Sequence, residues 1–228
     1  GAPLLNTAEP ANQSVSLMFS APSDSGGLPV LDYTATCDGS SVTAAASPIA
    51  VNGLANGSQV SCSVSARNAL GSGPASNVIL ATPRTLPGAP TLNAVTPGDA
   101  SATLIFTAPS NDGGSPVFGY SAICGASMVL GEASPLVVTE LSNGATVNCV
   151  VIARNAAGSG AASNAIAVTP LPLPGAPVLL SVVPGDGSAT LVFDPPANAA
   201  SSAILDYSAN CGAQSVTGNI SPLLIGGL

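Results

Sequence analysis

The stretch Val15-Ser16-Leu17-Met18-Phe19-Ser20 sets Val15, Leu17 and Phe19 at every second position. Strand side chains alternate between two faces, so this is the period of a half-buried β-strand. The pattern returns as Ala102, Leu104 and Phe106, and again as Ala189, Leu191 and Phe193, at a lag of 87 residues. The same lag relates Gly1-Ala2-Pro3 to Gly88-Ala89-Pro90 and Gly175-Ala176-Pro177. It also relates Tyr33 to Tyr120 and Tyr207, Cys37 to Cys124 and Cys211, and Leu54 to Leu141 and Leu228. No insertion or deletion separates these landmarks. The 228 residues hold two full repeats, 1–87 and 88–174, and part of a third, 175–228. A fixed internal period of this kind sets the fold before any local detail does.

Each repeat carries further strand-like runs, in the first at Tyr33–Cys37, Ile49–Val51, Val60–Ala66 and Asn77–Ala81. Turn chemistry separates them at Ser25-Gly26-Gly27-Leu28-Pro29, Asn56-Gly57 and Gly71-Ser72-Gly73-Pro74. No segment combines helical period with caps. Short strands at this spacing predict an all-β sandwich or barrel, and a unit of this size supports one small, marginal core.

Composition narrows the function. Charged residues are 6% of the chain, with three Arg, no Lys, no His and no Trp against 11 acidic residues, a net charge of −8. Phosphate backbones are neutralised by Lys and Arg, so no nucleic-acid partner is expected. Ser-His-Asp and Cys-His mechanisms and the usual zinc sites lack a part without His. Schiff-base chemistry and Lys–Asn isopeptide cross-links lack Lys. No acidic pair recurs with the repeat, so no catalytic site, metal or cofactor is expected. Hydrophobic residues at 46% set the chain apart from disordered sequences. No apolar run reaches a membrane helix. Gly1-Ala2-Pro3 shows neither a basic n-region nor an apolar h-region, as in a mature chain or an internal fragment.

Several motifs together resemble fibronectin type III domains of the disulfide-containing kind found in secreted bacterial surface proteins. They are Pro-Gly-Ala-Pro at 87–90, SATLIFTAP at 101–109, GGSPVFGYSAIC at 113–124, GLANG at 53–57, VSCSVSARNALGSGPAS at 60–76 and the closing Ala81-Thr82-Pro83. The resemblance covers the whole chain and implies tandem immunoglobulin-like β-sandwiches with the third module incomplete. Module 1 is expected over 1–84, a linker at 85–87, module 2 over 88–170, a linker at 171–174, and a partial module 3 over 175–228 with strands A to about E. Two departures shrink the core the family uses. Its Trp in the second strand is Phe19, Phe106 or Phe193 here, and its Tyr in the sixth is Val60 or Val147, so the tyrosine corner is absent.

The cysteines are the expected compensation. On the resemblance, Cys37 lies on strand C and Cys62 on strand F, neighbours in one sheet, and Cys124 and Cys149 repeat the arrangement. Disulfides Cys37–Cys62 and Cys124–Cys149 are therefore expected, leaving Cys211 unpaired in this chain. A tetrahedral thiolate metal site would need four close ligands, and each repeat supplies two cysteines and no His. Disulfides imply an oxidising, extracytoplasmic compartment.

Other candidates have plain readings. The aromatics Phe19, Tyr33, Phe106, Tyr120, Phe193 and Tyr207 sit at repeated strand positions and read as core, not as a sugar platform. Phe118, in the place of Leu31 and Leu205, also reads as strand packing. Asp24-Ser25-Gly26-Gly27 and Asn111-Asp112-Gly113-Gly114 offer one carboxylate each where calcium needs six or more oxygens, and Asn198-Ala199-Ala200 replaces them in repeat 3. They read as turns. The triplets at Asn12, Asn56 and Asn219 match the N-glycosylation pattern at unrelated places in the repeat, as chance produces in a chain rich in Asn and Ser.

The linkers Arg84-Thr85-Leu86-Pro87 and Leu171-Pro172-Leu173-Pro174 are short and restrained by Pro, which reads as semi-rigid spacing and a rod. Outward faces of Ser, Thr and Ala carry little of the charge that keeps strand edges apart. Self-association in a fibre or surface layer and compositional drift account for this equally well. The partial third repeat is read as a fragment of a longer array rather than as a subunit completed by a neighbour's strands. The expected function is a non-catalytic, extracellular or cell-surface structural or adhesive stalk or fibre, its partners its own kind or further modules. The alternatives are spacer or binding modules of a secreted depolymerase, and a module that binds ligand through its loops.

Overall fold

The computed structural model describes residues 1–199 and 203–228, so the replacement read at Asn198-Ala199-Ala200 falls partly outside the described residues. Among them there is no helix, and three β-sandwich units follow one another. Module 1 contains β1 (Leu4–Ala11), β2 (Ser14–Ser20), β3 (Asp32–Cys37), β4 (Ser40–Ala44), β5 (Ile49–Asn52), β6 (Val60–Asn68), β7 (Gly71–Ala75) and β8 (Ile79–Ala81). One sheet runs β1-β2-β5. The other runs β4-β3-β6-β7, with β8 also pairing β6. This is the strand order of an immunoglobulin-like sandwich, three strands against four or five.

The alternation read from the sequence is the alternation of the core. Val15, Leu17 and Phe19 of β2 are buried, as are Ile49 and Val51 of β5, and they face Ala35, Cys37, Val60, Cys62 and Val64 of the second sheet. Phe19 and Tyr33 meet across the interior with ring centroids 4.8 Å apart and tilted planes, a favourable aromatic geometry. The Phe19 N–H donates to Ser47 Oγ at 3.0 Å, and Phe106 with Ser134 and Phe193 with Ser221 repeat the bond. Asn77 ties the start of β1 to the other sheet, accepting from Leu5 N–H and donating to its carbonyl, both at 3.0 Å. Asn164 does the same for Leu92.

Module 2 repeats the plan with β9 (Thr91–Gly98), β10 (Ser101–Thr107), β11 (Gly119–Cys124), β12 (Ser127–Gly131), β13 (Leu136–Val138), β14 (Val147–Asn155), β15 (Gly158–Ala162) and β16 (Ile166–Val168). Module 3 contains β17 (Val178–Gly185), β18 (Ser188–Asp194), β19 (Tyr207–Cys211), β20 (Gln214–Gly218) and β21 (Leu223–Gly226). Its first sheet runs β17-β18-β21, while β19 pairs only with β20 among the described residues. The core cluster there holds three buried residues, Ala189, Leu191 and Ile225. Leu179 is 55% exposed where its counterparts Leu5 and Leu92 are 2% exposed.

Three local readings differ from the structure. Gly71–Ala75, read as a turn, is the edge strand β7, because hydrogen bonding to β6 outweighs its Gly and Pro content and an edge tolerates Pro74. Ser40–Ala44, composed of small polar residues with no apolar alternation to signal it, forms β4. Phe118 precedes β11 and is 59% exposed, so it is not strand packing.

Leu104→Ala, at a fully buried site in β10, should destabilise module 2 by about 2–5 kcal/mol, whereas Ile105→Ala on the exposed face should change it by about 0.5 kcal/mol or less. Hydrogen exchange read over β14 along a guanidinium series would check the contrast, and equal losses would contradict the assignment of faces.

Candidate functional site

Two features stand out from ordinary sandwich packing: the cystine at the centre of each complete module and the seam between modules 1 and 2. Cys37 and Cys62 are direct partners in the β3–β6 ladder, bonded with Cα atoms 4.2 Å apart. Cys124 and Cys149 are bonded across β11 and β14 with Cα atoms 4.1 Å apart. Such spacings are those of a non-hydrogen-bonded antiparallel pair. All four residues have no exposed surface and lie within the core clusters, so each cystine supplies apolar volume as well as a cross-link. Cys211 is a free, half-buried thiol on β19.

The acidic and amide-bearing turns are internally satisfied. Asp24 accepts from Gly26 N–H, Asn111 from Gly113 N–H and Asp112 from Gly114 N–H, each at 2.8 Å. Among the described residues no group of three or more His, Cys, Asp or Glu side chains could hold a metal. Asn12 and Asn56 of two glycosylation-like triplets bond to each other at 2.8 Å. Asp99 and Asn143 form the same pair in module 2. The one ion pair among the described residues joins Arg67 to Asp32. The hydrogen bond from that guanidinium holds the Asp32 carboxyl below the usual carboxylate range. Gly119 occupies the corresponding place in module 2, so the pair does not recur.

The seam is a fitted joint. Module 1 holds the start of the linker: Gly57 N–H donates to Pro83 O at 2.9 Å, and Arg84 N–H to Ala11 O at 3.1 Å. Module 2 holds the rest. Thr85 N–H donates to Gly113 O at 2.8 Å. The Asn155 amide, 2% exposed, donates to both Thr85 O at 2.8 Å and Asp112 O at 2.6 Å, while its oxygen accepts from Ala157 and Gly158 N–H. Glycines make the close approach possible. A Cβ on Gly113 would lie 2.2 Å from Thr85 O, one on Gly160 2.2 Å from Pro87 O, and one on Gly114 2.3 Å from Gly57 N. Gly113 and Gly114 also have φ of 75° and 79°, where Gly is at ease.

Sequence reasoning read this segment as a spacer and missed Asn155, Gly113 and Gly160. The signal was the recurrence of Gly26-Gly27 as Gly113-Gly114, and of Gly71 and Gly73 as Gly158 and Gly160. At the seam between modules 2 and 3, module 2 holds the start of the linker as module 1 does, with Gly144 N–H on Pro170 O at 2.8 Å and Leu171 N–H on Gly98 O at 3.2 Å, and the Asn198 side chain donates to Leu173 O and accepts from Gly175 N–H, both at 2.7 Å.

No family model matches this chain, and no curated protein is similar to it at a significant level. Solved structures with related architecture include the FN1–FN3 domains of chicken CNTN1, at 17% identity and a TM-score of 0.37, covering 100% of this chain and 89% of that one. Domains A168-A170 from titin match at 18% identity and a TM-score of 0.46, covering 74% of this chain and 60% of that one. The strand order within the modules is that of tandem fibronectin type III or immunoglobulin-like sandwiches, and the two disulfides with this fold fit an extracellular location.

Thiol titration in denaturant without reductant should find one thiol per chain, and reduction should then cost each complete module about 3 kcal/mol by the loop-entropy argument. Five titratable thiols before reduction would contradict both disulfides. Trypsin tests the seam, because Arg84–Thr85 lies within the docked linker. Replacing Gly113 with Asn, which tolerates positive φ but adds a Cβ, should speed that cut by about tenfold through local opening. Unchanged cleavage would mean that the linker is not held.

Proposed function

We propose that this chain is a non-catalytic structural or adhesive protein of an extracellular surface, a rod-like array of β-sandwich modules forming a stalk or fibre of bacterial type. The seated linker carries this reading. A chain whose modules only needed tethering would gain nothing from burying Asn155 and clearing Cβ atoms from three positions at the seam. A chain whose modules must transmit position or force needs such a joint. The low charge supports the second half of the reading, close packing against its own kind. With 6% charged residues overall, the exposed strand faces are mostly uncharged and place few charges directly against a neighbour, although the net charge of −8 opposes association at low salt.

Small-angle scattering tests the shape. A nine-residue strand such as Val60–Asn68 spans about 30 Å. Three modules in line should therefore give a radius of gyration above about 25 Å, against about 17 Å for a compact chain of this length. A value near the lower figure would overturn the rod. Sedimentation across a concentration series at physiological salt, where the net charge is screened, tests association, and a monomer throughout would remove self-packing from the proposal.

A further inference from the structure

Module 1 carries at its own N-terminal pole the surface on which module 2 seats the linker. Pro22, Ser25, Gly26, Asn68, Gly71 and Gly73 line a cleft of about 180 Å³ there. The match is residue for residue along the repeat. Asn68 takes the place of Asn155, Gly26 of Gly113, Gly71 of Gly158 and Gly73 of Gly160. The polar geometry is also set. The Asn68 amide donates to Ser25 O at 2.9 Å, as Asn155 donates to Asp112 O, and its oxygen accepts from Leu70 N–H at 2.9 Å, as Asn155 accepts from Ala157. What differs is cover: Asn155 and Gly113 are buried beneath Thr85–Pro87, whereas Asn68 is half-buried and Gly26 exposed. A Cβ at Gly26 would meet only the Asn68 amide nitrogen, at 3.5 Å, so the space above it is open, although its φ of 74° by itself favours glycine.

From this we propose that the N-terminal pole of module 1 is a socket for an extended Thr-Leu-Pro-type segment joined in line to Gly1, the tail of another module of the same kind. In the socket the Asn68 amide would give its second N–H to the carbonyl that Thr85 supplies on module 2. The inference rests on the array reading and names the partner of each module's pole.

The test extends the full chain at Gly1 with a copy of residues 81–87, Ala-Thr-Pro-Arg-Thr-Leu-Pro. Docking should slow hydrogen exchange at the Asn68 side-chain amide by about tenfold, and cleavage of the added Arg–Thr bond by a similar factor. Gly26→Asn in the extended chain should restore fast cleavage. Its effect on folding is read separately from exchange within β3 and β6. An Asn68 signal and a cleavage rate unaffected by the extension or by Gly26→Asn would overturn the socket. Protection that grows with protein concentration would overturn in-line docking in favour of insertion between copies. A radius of gyration above about 25 Å for the unextended chain would keep the array reading standing even if the socket fails.

Discussion

The pairing of β3 with β6, fixed covalently at Cys37 and Cys62, is the constraint on which each complete module depends. Antiparallel register is vulnerable because a slip of one residue turns every core side chain to solvent. A large central aromatic would ordinarily penalise that slip. Here the strand pair offers Ala35, Val64 and Ala66, and the aromatic contact is the tilted packing of buried Phe19 against half-buried Tyr33. Small side chains discriminate poorly between registers. The cystine removes the ambiguity, and its buried sulfurs add apolar volume to a core built of small side chains. The remaining alignment comes from side-chain amides: Asn77 on Leu5 and Asn56 on Gln13 each pin a strand end to a distant loop. Electrostatics adds little, since Arg67 and Asp32 form an exposed pair that module 2 lacks.

The parts of this fold that were legible in the sequence are those in which apolar side chains alternate. β2, β3, β5 and β6 announce themselves because Val15, Leu17, Ile49 and Val64 must reach the interior. β4 and β7 do not, because they lie at sheet edges and are built of Ser, Thr, Gly and Ala. Their strand character comes from a partner's hydrogen bonds, which leave no mark on composition. Phe118 shows the opposite error. Its place in the repeat, that of Leu31 and Leu205, suggested strand packing, yet the chain reaches β11 only one residue later, and the ring stands on the surface. The cysteine spacing fixed which residues belong together only through the strand neighbours that the family resemblance supplied. The seam was illegible for a further reason. Most of its donors and acceptors are backbone atoms, as in Thr85 to Gly113, and its one buried side-chain donor reaches across 70 residues, from Asn155 to Thr85.

Proline explains less of the seam than its presence in the linker suggested. A fixed φ at Pro83 and Pro87 narrows the path of the chain but leaves the intervening residues free to rotate. What removes that freedom is the fit against module 2. The Gly113 carbonyl accepts from Thr85 while its missing Cβ lets Thr85 O descend to the Asn155 amide. Each half requires the other, since a buried amide without the linker would lose a partner, and a linker without glycine beneath it could not come within reach.

The repeat keeps linker length constant while changing this latch. Ala200 stands in sequence where Gly113 stands one repeat earlier, and the Asn198 side chain takes the linker at Leu173 and Gly175, where Asn111 offers Gly88 its backbone carbonyl. At the first seam a Cβ at position 113 would fall 2.2 Å from Thr85 O, so the close approach there depends on glycine. Among the described residues, then, backbone proximity over glycine accompanies the first linker and a clasp by the Asn198 side chain the second, while Gly57 on Pro83 and Gly144 on Pro170 repeat the hold from the preceding module.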